Sequence, residues 1–218
     1  ETDLEPLLNS EPITNIVLNT ILFIAIQNRR RRGVFQRLLE ISRKYLRVRR
    51  DILYIIATAF RGVRYSIARY QDIPQLLDAE DLDDLSDRII TLGYIFEGAS
   101  DIRLAELLLG LIEKTNGAVM RPTVSALARI FRDADPLISR YGPIFSRLSK
   151  VKAEALIRAI STLCRSKHYK YYGNPYLRYM FMYSLLRGDM RLKAQAIIGL
   201  GYIFEGSEAK HIVSLFRN

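Results

Sequence analysis

Apolar side chains recur along this chain in pairs four residues apart, and the pairs themselves recur at a nearly constant interval. Leu22 with Ile26, Ile56 with Phe60, Leu92 with Phe96, and Leu127 with Phe131 each set two bulky groups one above the other on a helix face. Leu163 and Leu200 continue the series, so successive anchors stand 34, 36, 35, 36 and 37 residues apart. The segment Leu92-Gly-Tyr-Ile-Phe-Glu-Gly98 returns unchanged as Leu200 to Gly206, 108 residues later, which is three such intervals. A period of this size predicts stacked helical hairpins, each burying its apolar face on the next.

The residue after each anchor is Phe23, Ala57, Gly93, Ala128, Cys164 and Gly201, and all but Phe23 are small. Glycine inside a helix costs about 1 kcal/mol relative to alanine, so a recurring small residue predicts close approach of a neighbouring helix there. On this reading Cys164 is a buried packing residue rather than a nucleophile. Gly199-Leu-Gly201 belongs to the same packing, since no strand precedes it to form a nucleotide loop. Helix boundaries follow from punctuation. Ser100 is expected to cap a helix from Asp101 to about Lys114, closed by Asn116-Gly117, and Pro122 suits the first turn of the next. Asp135-Pro136 and Asn174-Pro175 repeat the cap-then-proline signal, and Ser207 is placed to cap a last helix, Glu208 to Arg217. Leu104, Leu107, Leu108 and Leu111 in one segment, and Val151, Leu156, Ile160 and Leu163 in another, keep helical spacing. The fold class expected is all-α, with paired antiparallel helices.

The anchor pairs, the small residue beside them and the short polar turns resemble the HEAT and armadillo family of α-solenoids, from about Ile13 to Phe216. The stretch Leu92 to Gly98, followed by the leucine-rich Ala99 to Leu109, is also similar to the proteasome/cyclosome variant of such repeats. The tetratricopeptide pattern fits less well, because its tryptophan is absent. The resemblance implies a right-handed superhelix of about six HEAT-like hairpins and a binding scaffold with no cofactor. The expected organisation is one solenoid over 1–218: basic repeats at about 11–77, regular ones at about 79–149, an irregular tyrosine-rich one at about 151–187, and a C-terminal one at about 189–218. The last helix carries Ile212, Val213, Leu215 and Phe216 with no helix after it, and the chain opens without Met. Both features suggest a piece of a longer array, with end-to-end contact through the C-terminal helix.

Composition narrows the class. Half the residues are apolar and 26% charged, so the chain is expected to fold throughout. Its longest apolar stretch, around Ile21 to Ile26, is too short to span a bilayer, and the acidic start (Glu1, Asp3, Glu5) is unlike a signal peptide. A lone cysteine excludes an internal disulfide and leans towards an intracellular setting, cytoplasmic or nuclear.

The net charge of +10 is concentrated: thirteen basic residues lie between Arg29 and Arg69 against Glu40 and Asp51, leaving the remainder close to neutral in sum. The four arginines Arg29, Arg30, Arg31 and Arg32 read as the end of the first long helix. Val34, Leu38, Ile41, Tyr45 and Val48 run at helical spacing, which leaves Arg37, Lys44 and Arg47 on the opposite side; Arg50 extends the basic set. Such a surface suits an acidic protein partner, the phosphates of RNA or DNA, or plain solvation. An acidic run follows at Asp78, Glu80, Asp81, Asp83, Asp84 and Asp87, to be read as helix N-terminal charge, as a metal cluster, or as a partner for the basic repeat beside it. In the fifth repeat Lys167 replaces the aromatic anchor, and Lys167, Tyr169, Lys170, Tyr171 and Tyr172 form a candidate contact loop, while Tyr176, Tyr179 and Tyr183 are expected to pack between hairpins.

No phosphate-binding Gly-x-x-x-x-Gly-Lys, His-Glu-x-x-His or Cys-x-x-Cys pattern occurs, and His168 and His211 stand 43 residues apart with no orienting partner in sequence. Basic HEAT-like solenoids include alkylpurine DNA glycosylases, whose aromatic cleft uses tryptophan; this chain has none. The reading is a scaffold, not an enzyme, with no catalytic, cofactor or metal site and no membrane span. It mediates protein–protein assembly through its basic N-terminal surface. The alternative is a nucleic-acid-binding solenoid using the same arginines and the Tyr/Lys loop.

Overall fold

Every element among the described residues is helical. The computed structural model describes residues 11–62, 67–165 and 174–204, and among them lie eleven α-helices, two 3₁₀ segments and no strand. Chain packing divides into two compact units, Glu1–Ala99 and Ser100–Asn218.

The first unit holds α1 (Glu11–Gln27), α2 (Arg32–Lys44), α3 (Arg49–Ala59), α4 (Ile67–Leu76) and α5 (Leu82–Ile95), with a 3₁₀ segment Leu46–Val48 joining α2 to α3. Sequential helices pair, α2 with α3 and α4 with α5, and alternate helices also pack: α1 on α3, α3 on α5, and α2 on α4. The anchors lie in the alternate set, and Ile56 and Leu92 are wholly buried. Leu22, on α1, is only partly covered, and Phe23 points to solvent at 64% exposure, which explains why a bulky residue is tolerated in the otherwise small slot.

Two boundaries differ from the sequence reading. The first helix stops at Gln27, where the Asn28 side-chain amide donates to the Ile24 carbonyl at 3.0 Å and satisfies a terminal acceptor. Arg29 to Arg31 therefore lie in a turn, and Arg32 opens α2 instead of closing α1. The helical spacing from Val34 to Val48 is broken at Tyr45, and the buried stripe of α2 is Phe35, Leu38, Leu39 and Ser42, with Phe35 edge-on to Phe60 at 5.2 Å.

The second unit holds α6 (Ile102–Lys114), α7 (Met120–Ile130), α8 (Asp135–Tyr141), a 3₁₀ segment Gly142–Arg147, α9 (Lys150–Cys164), α10 (Pro175–Arg187) and α11 (Met190–Phe204). Again sequential helices pair, α6 with α7 and α10 with α11, while α7 packs on α9 and α9 on α11. Asp101, not Ser100, caps α6: its carboxylate accepts from the Arg103 N–H at 2.9 Å, whereas Ser100 sits at φ +53, outside the extended region a capping residue needs. Asn116 and Gly117 end the helix in left-handed conformations, with Gly117 N–H donating to Ile112 O at 2.8 Å. Asn174 caps α10 ahead of Pro175 as the dipeptide predicts, accepting from the N–H groups of Tyr176 and Leu177. Cys164 is fully buried.

The small slot behaves differently from expectation at its last rung. A β-carbon on Gly201 would meet nothing within 4 Å, but one on Gly199 would lie 2.0 Å from Ser161 Oγ and 2.6 Å from Phe181 Cε1. The close approach of α9 and α10 to α11 is thus at the residue before the anchor. Of the three tyrosines expected to pack, Tyr183 lies edge-on to Phe145 at 5.9 Å; Tyr176, whose β-carbon sits against Gly142, and Tyr179, whose ring lies 6.0 Å from that of Tyr183, both remain exposed, at 45% and 40%.

Candidate interaction surfaces

In the first unit the basic and acidic runs meet, and they meet one repeat apart. Arg32 grips buried Asp72 through Nε (3.1 and 3.2 Å) and Nη2 (2.7 Å), with Gln36 adding a bond at 3.3 Å. Arg43 reaches Asp78 at 2.7 Å, Arg49 reaches Glu80 at 2.7 Å and Asp84 at 3.1 Å, Arg50 reaches Asp87 at 2.8 Å, and Arg61 pairs with Glu97. Every one of these pairs spans 31 to 40 residues, the length of the repeat. Hydrogen bonds donated to Asp72, Asp87 and Glu97 raise the pKa values of Arg32, Arg50 and Arg61 above the ordinary arginine value.

Two of the carboxylates are buried, and these matter most. Asp84 accepts from Arg88 Nε at 2.8 Å, and both side chains are almost fully enclosed; Arg88 also donates to the Leu76 carbonyl at 3.1 Å. The other Asp84 oxygen takes Arg49 and the Glu80 N–H, while Asp81 caps α5 by accepting from the Asp84 N–H at 2.7 Å. Sequence reasoning missed this network, though the signal was present: Arg88 stands four residues before anchor Leu92, where α3 has Ile52 and α7 has Thr123, so it lies on the buried stripe.

Of the predicted contact residues, Arg32, Arg37 and Arg50 are committed to ion pairs, Arg37 with Glu40 at 2.8 Å on its own helix. Lys44 lies over the Tyr45 ring at 5.1 Å. Arg29, Arg30, Arg31 and Arg47 are exposed, the first three in the α1–α2 turn and Arg47 in the 3₁₀ segment. Lys167, Tyr169, Lys170, Tyr171 and Tyr172 lie outside the described residues, as do His168, His211, Ser207 and the last helix.

Divided at Ala99, the charge has a different distribution from the one its density along the chain suggests. Residues 1–99 carry fourteen basic and fourteen acidic side chains; residues 100–218 carry nineteen against nine, so the second unit holds the whole excess of +10. The stacked helices α7, α9 and α11 contain Arg121, Arg129, Lys150, Lys152, Arg158, Arg191 and Lys193 against Glu154 alone. Arg121, Lys150, Lys152, Arg191 and Lys193 lie in or near first turns that hold no acidic residue, where the helix dipole disfavours a cation by about 0.3–1 kcal/mol.

Between α7 and α9 lies a groove of about 440 Å³ lined by Arg121, Val124, Ser125, Ala128, Arg129, Arg158 and Thr162. Arg158 donates Nη2 to Glu154 at 2.6 Å, and its buried Nε has no hydrogen-bond partner. These arginines carry a signal that reading charge by density overlooks. Arg158 follows Arg121 by 37 residues and Arg165 follows Arg129 by 36, so arginine returns about one period later at two positions. Arg165 stacks over Tyr202 of α11 at 4.8 Å.

Among the described residues no helix is long and apolar enough to cross a membrane. No protein-family model, curated protein or solved structure matches the chain.

Proposed function

We propose that this chain is a non-catalytic α-helical repeat scaffold, a right-handed HEAT-like solenoid of about six hairpins, that assembles with an acidic protein partner. The observation that carries the reading is the packing of alternate helices through anchors one period apart, α3 on α5 in the first unit and α7 on α9 on α11 in the second. Hairpins that stack on their neighbours in this way expose a row of equivalent positions for binding, and scaffolds use such rows. In the first unit the proposed contact surface is the exposed set Arg29, Arg30, Arg31 and Arg47.

Fluorescence anisotropy with a labelled Asp/Glu-rich peptide and a mixed-sequence RNA, each titrated across salt, tests the reading. The expected result is peptide binding that weakens when Arg30, Arg31 and Arg47 are all changed to Glu. Micromolar RNA binding with a steep salt dependence, lost in the same variant, would replace the protein partner with nucleic acid. Turnover of any substrate would overturn the non-catalytic reading.

A further inference from the structure

We infer that the groove between α7 and α9 is a second binding site, one that receives an acidic peptide segment rich in Asp and Glu. The inference rests on the scaffold reading for the kind of partner, but not on the surface in the first unit. The argument starts from charge. The guanidinium groups of Arg121, Arg129 and Arg158 line one groove; Arg129 is engaged within the chain and Arg158 holds Glu154, the one carboxylate on α7 and α9, so the exposed Arg121 is the group a ligand meets first. Arg121 and Thr162 are exposed, so the groove opens to solvent along its length and admits a chain.

The lining favours peptide over nucleic acid. Arginine forks match carboxylate and phosphate alike. Bound single strands, however, also need aromatic faces for base stacking, and no aromatic residue lines this groove. Between the arginines lie Val124 and Ala128, which offer apolar contact to side-chain methylenes, with the Ser125 hydroxyl as a donor for a carboxylate and the Thr162 hydroxyl, which donates to the Arg158 carbonyl at 2.9 Å, as an acceptor for a peptide N–H.

The test uses the full chain and two groove variants. Arg121→Glu replaces an exposed residue in the first turn of α7, where an acidic side chain suits the helix dipole, so folding is retained. Arg121→Glu with Arg158→Gln removes a second contact while keeping a neutral side chain beside Glu154. Anisotropy with a labelled eight-residue Glu/Asp peptide is expected to show at least tenfold weaker binding for the single variant and a further loss for the double. Circular dichroism melting checks that both variants fold. Unchanged peptide affinity in the folded double variant overturns the inference while leaving the first-unit surface standing. Preferential binding of a mixed-sequence RNA, abolished by the same two changes, overturns the choice of occupant. If the Arg30, Arg31 and Arg47 reversal has no effect but the groove variants do, the groove stands and the first-unit surface falls.

Discussion

Alanine at Gly199 and alanine at Gly201 should move stability in opposite directions, although the two residues lie on one helix. At Gly199 the added methyl would stand 2.0 Å from Ser161 Oγ and 2.6 and 3.0 Å from Phe181 Cε1 and Cζ. Neither neighbour yields easily: Ser161 is buried and donates to the Ile157 carbonyl at 2.6 Å, and Phe181 is 2% exposed. A clash this deep belongs near the top of the overpacking range, about 3 kcal/mol, and the helix-propensity gain of about 1 kcal/mol offsets only part of it, leaving a net loss of about 2. At Gly201 no atom lies within 4 Å, so the propensity gain of about 1 kcal/mol stands alone. The gap between the variants is then about 3 kcal/mol, or roughly 6–12 °C in Tm for a chain of this size. Thermal and urea melts followed by circular dichroism measure it. Ser161→Ala in the Gly199→Ala background should recover part of the loss, because the nearest clashing atom is gone. Equal shifts at the two positions, or a Gly199→Ala chain as stable as Gly201→Ala, would refute the packing argument.

Asp84→Ala should destabilise the first unit by about 3–5 kcal/mol, because it strands the enclosed Arg88 guanidinium without a counter-charge. Arg88→Met keeps apolar volume and leaves Asp84 bonded to Arg49 and the Glu80 N–H, so it should cost less; urea melts showing the reverse order would contradict the network. In the second unit, the hydrogen bond from Lys152 holds the Glu113 carboxyl below its ordinary pKa of 4.5. A depressed folded-state pKa means that this contribution is complete above the unfolded value and is lost as pH falls through the folded one. Lys152→Met should therefore flatten the fall in stability below about pH 4.5, and an NMR titration should place Glu113 below that value in the parent chain. A Glu113 midpoint at or above it would refute the assignment.

The anchors were legible in the sequence because period and burial coincide there. Ile56 and Leu92 are wholly enclosed on α3 and α5, which pack on one another, and in the second unit the enclosed Leu127 and the buried Leu163 lie on α7 and α9, which do the same. The tight approach at the last rung was misplaced by two residues, since Gly199 and Gly201 flank the same anchor but, at about 100° per residue, face nearly opposite sides of α11. A small residue marks room for a neighbour without saying on which side the neighbour comes. The candidate surface was read less well. Counting Arg29 to Arg69 along the chain gave a basic block, yet folding brings Asp72, Asp78, Glu80, Asp84, Asp87 and Glu97 onto it from one repeat later. Density along a chain is a poor guide to surface charge where, as in the first unit, arginines meet carboxylates 31 to 40 residues away. Arg121, Arg129 and Arg158 were overlooked for the converse reason: they are scattered in sequence and gathered in the groove.

The period-long ion pairs of the first unit also give its repeats an order. An array of like units tolerates exchange or duplication of any member, since every unit presents the same two faces to its neighbours. Here the members differ: Arg32, Arg43, Arg49, Arg50 and Arg61 come from the earlier hairpin, and their carboxylates from the later one. Transposing the two hairpins, or copying either beside itself, would part these arginines from their carboxylates, leaving Asp72 buried without Arg32 and Asp84 with Arg88 alone. The joint is keyed, and natural shuffling or engineered insertion of repeats has to respect its direction.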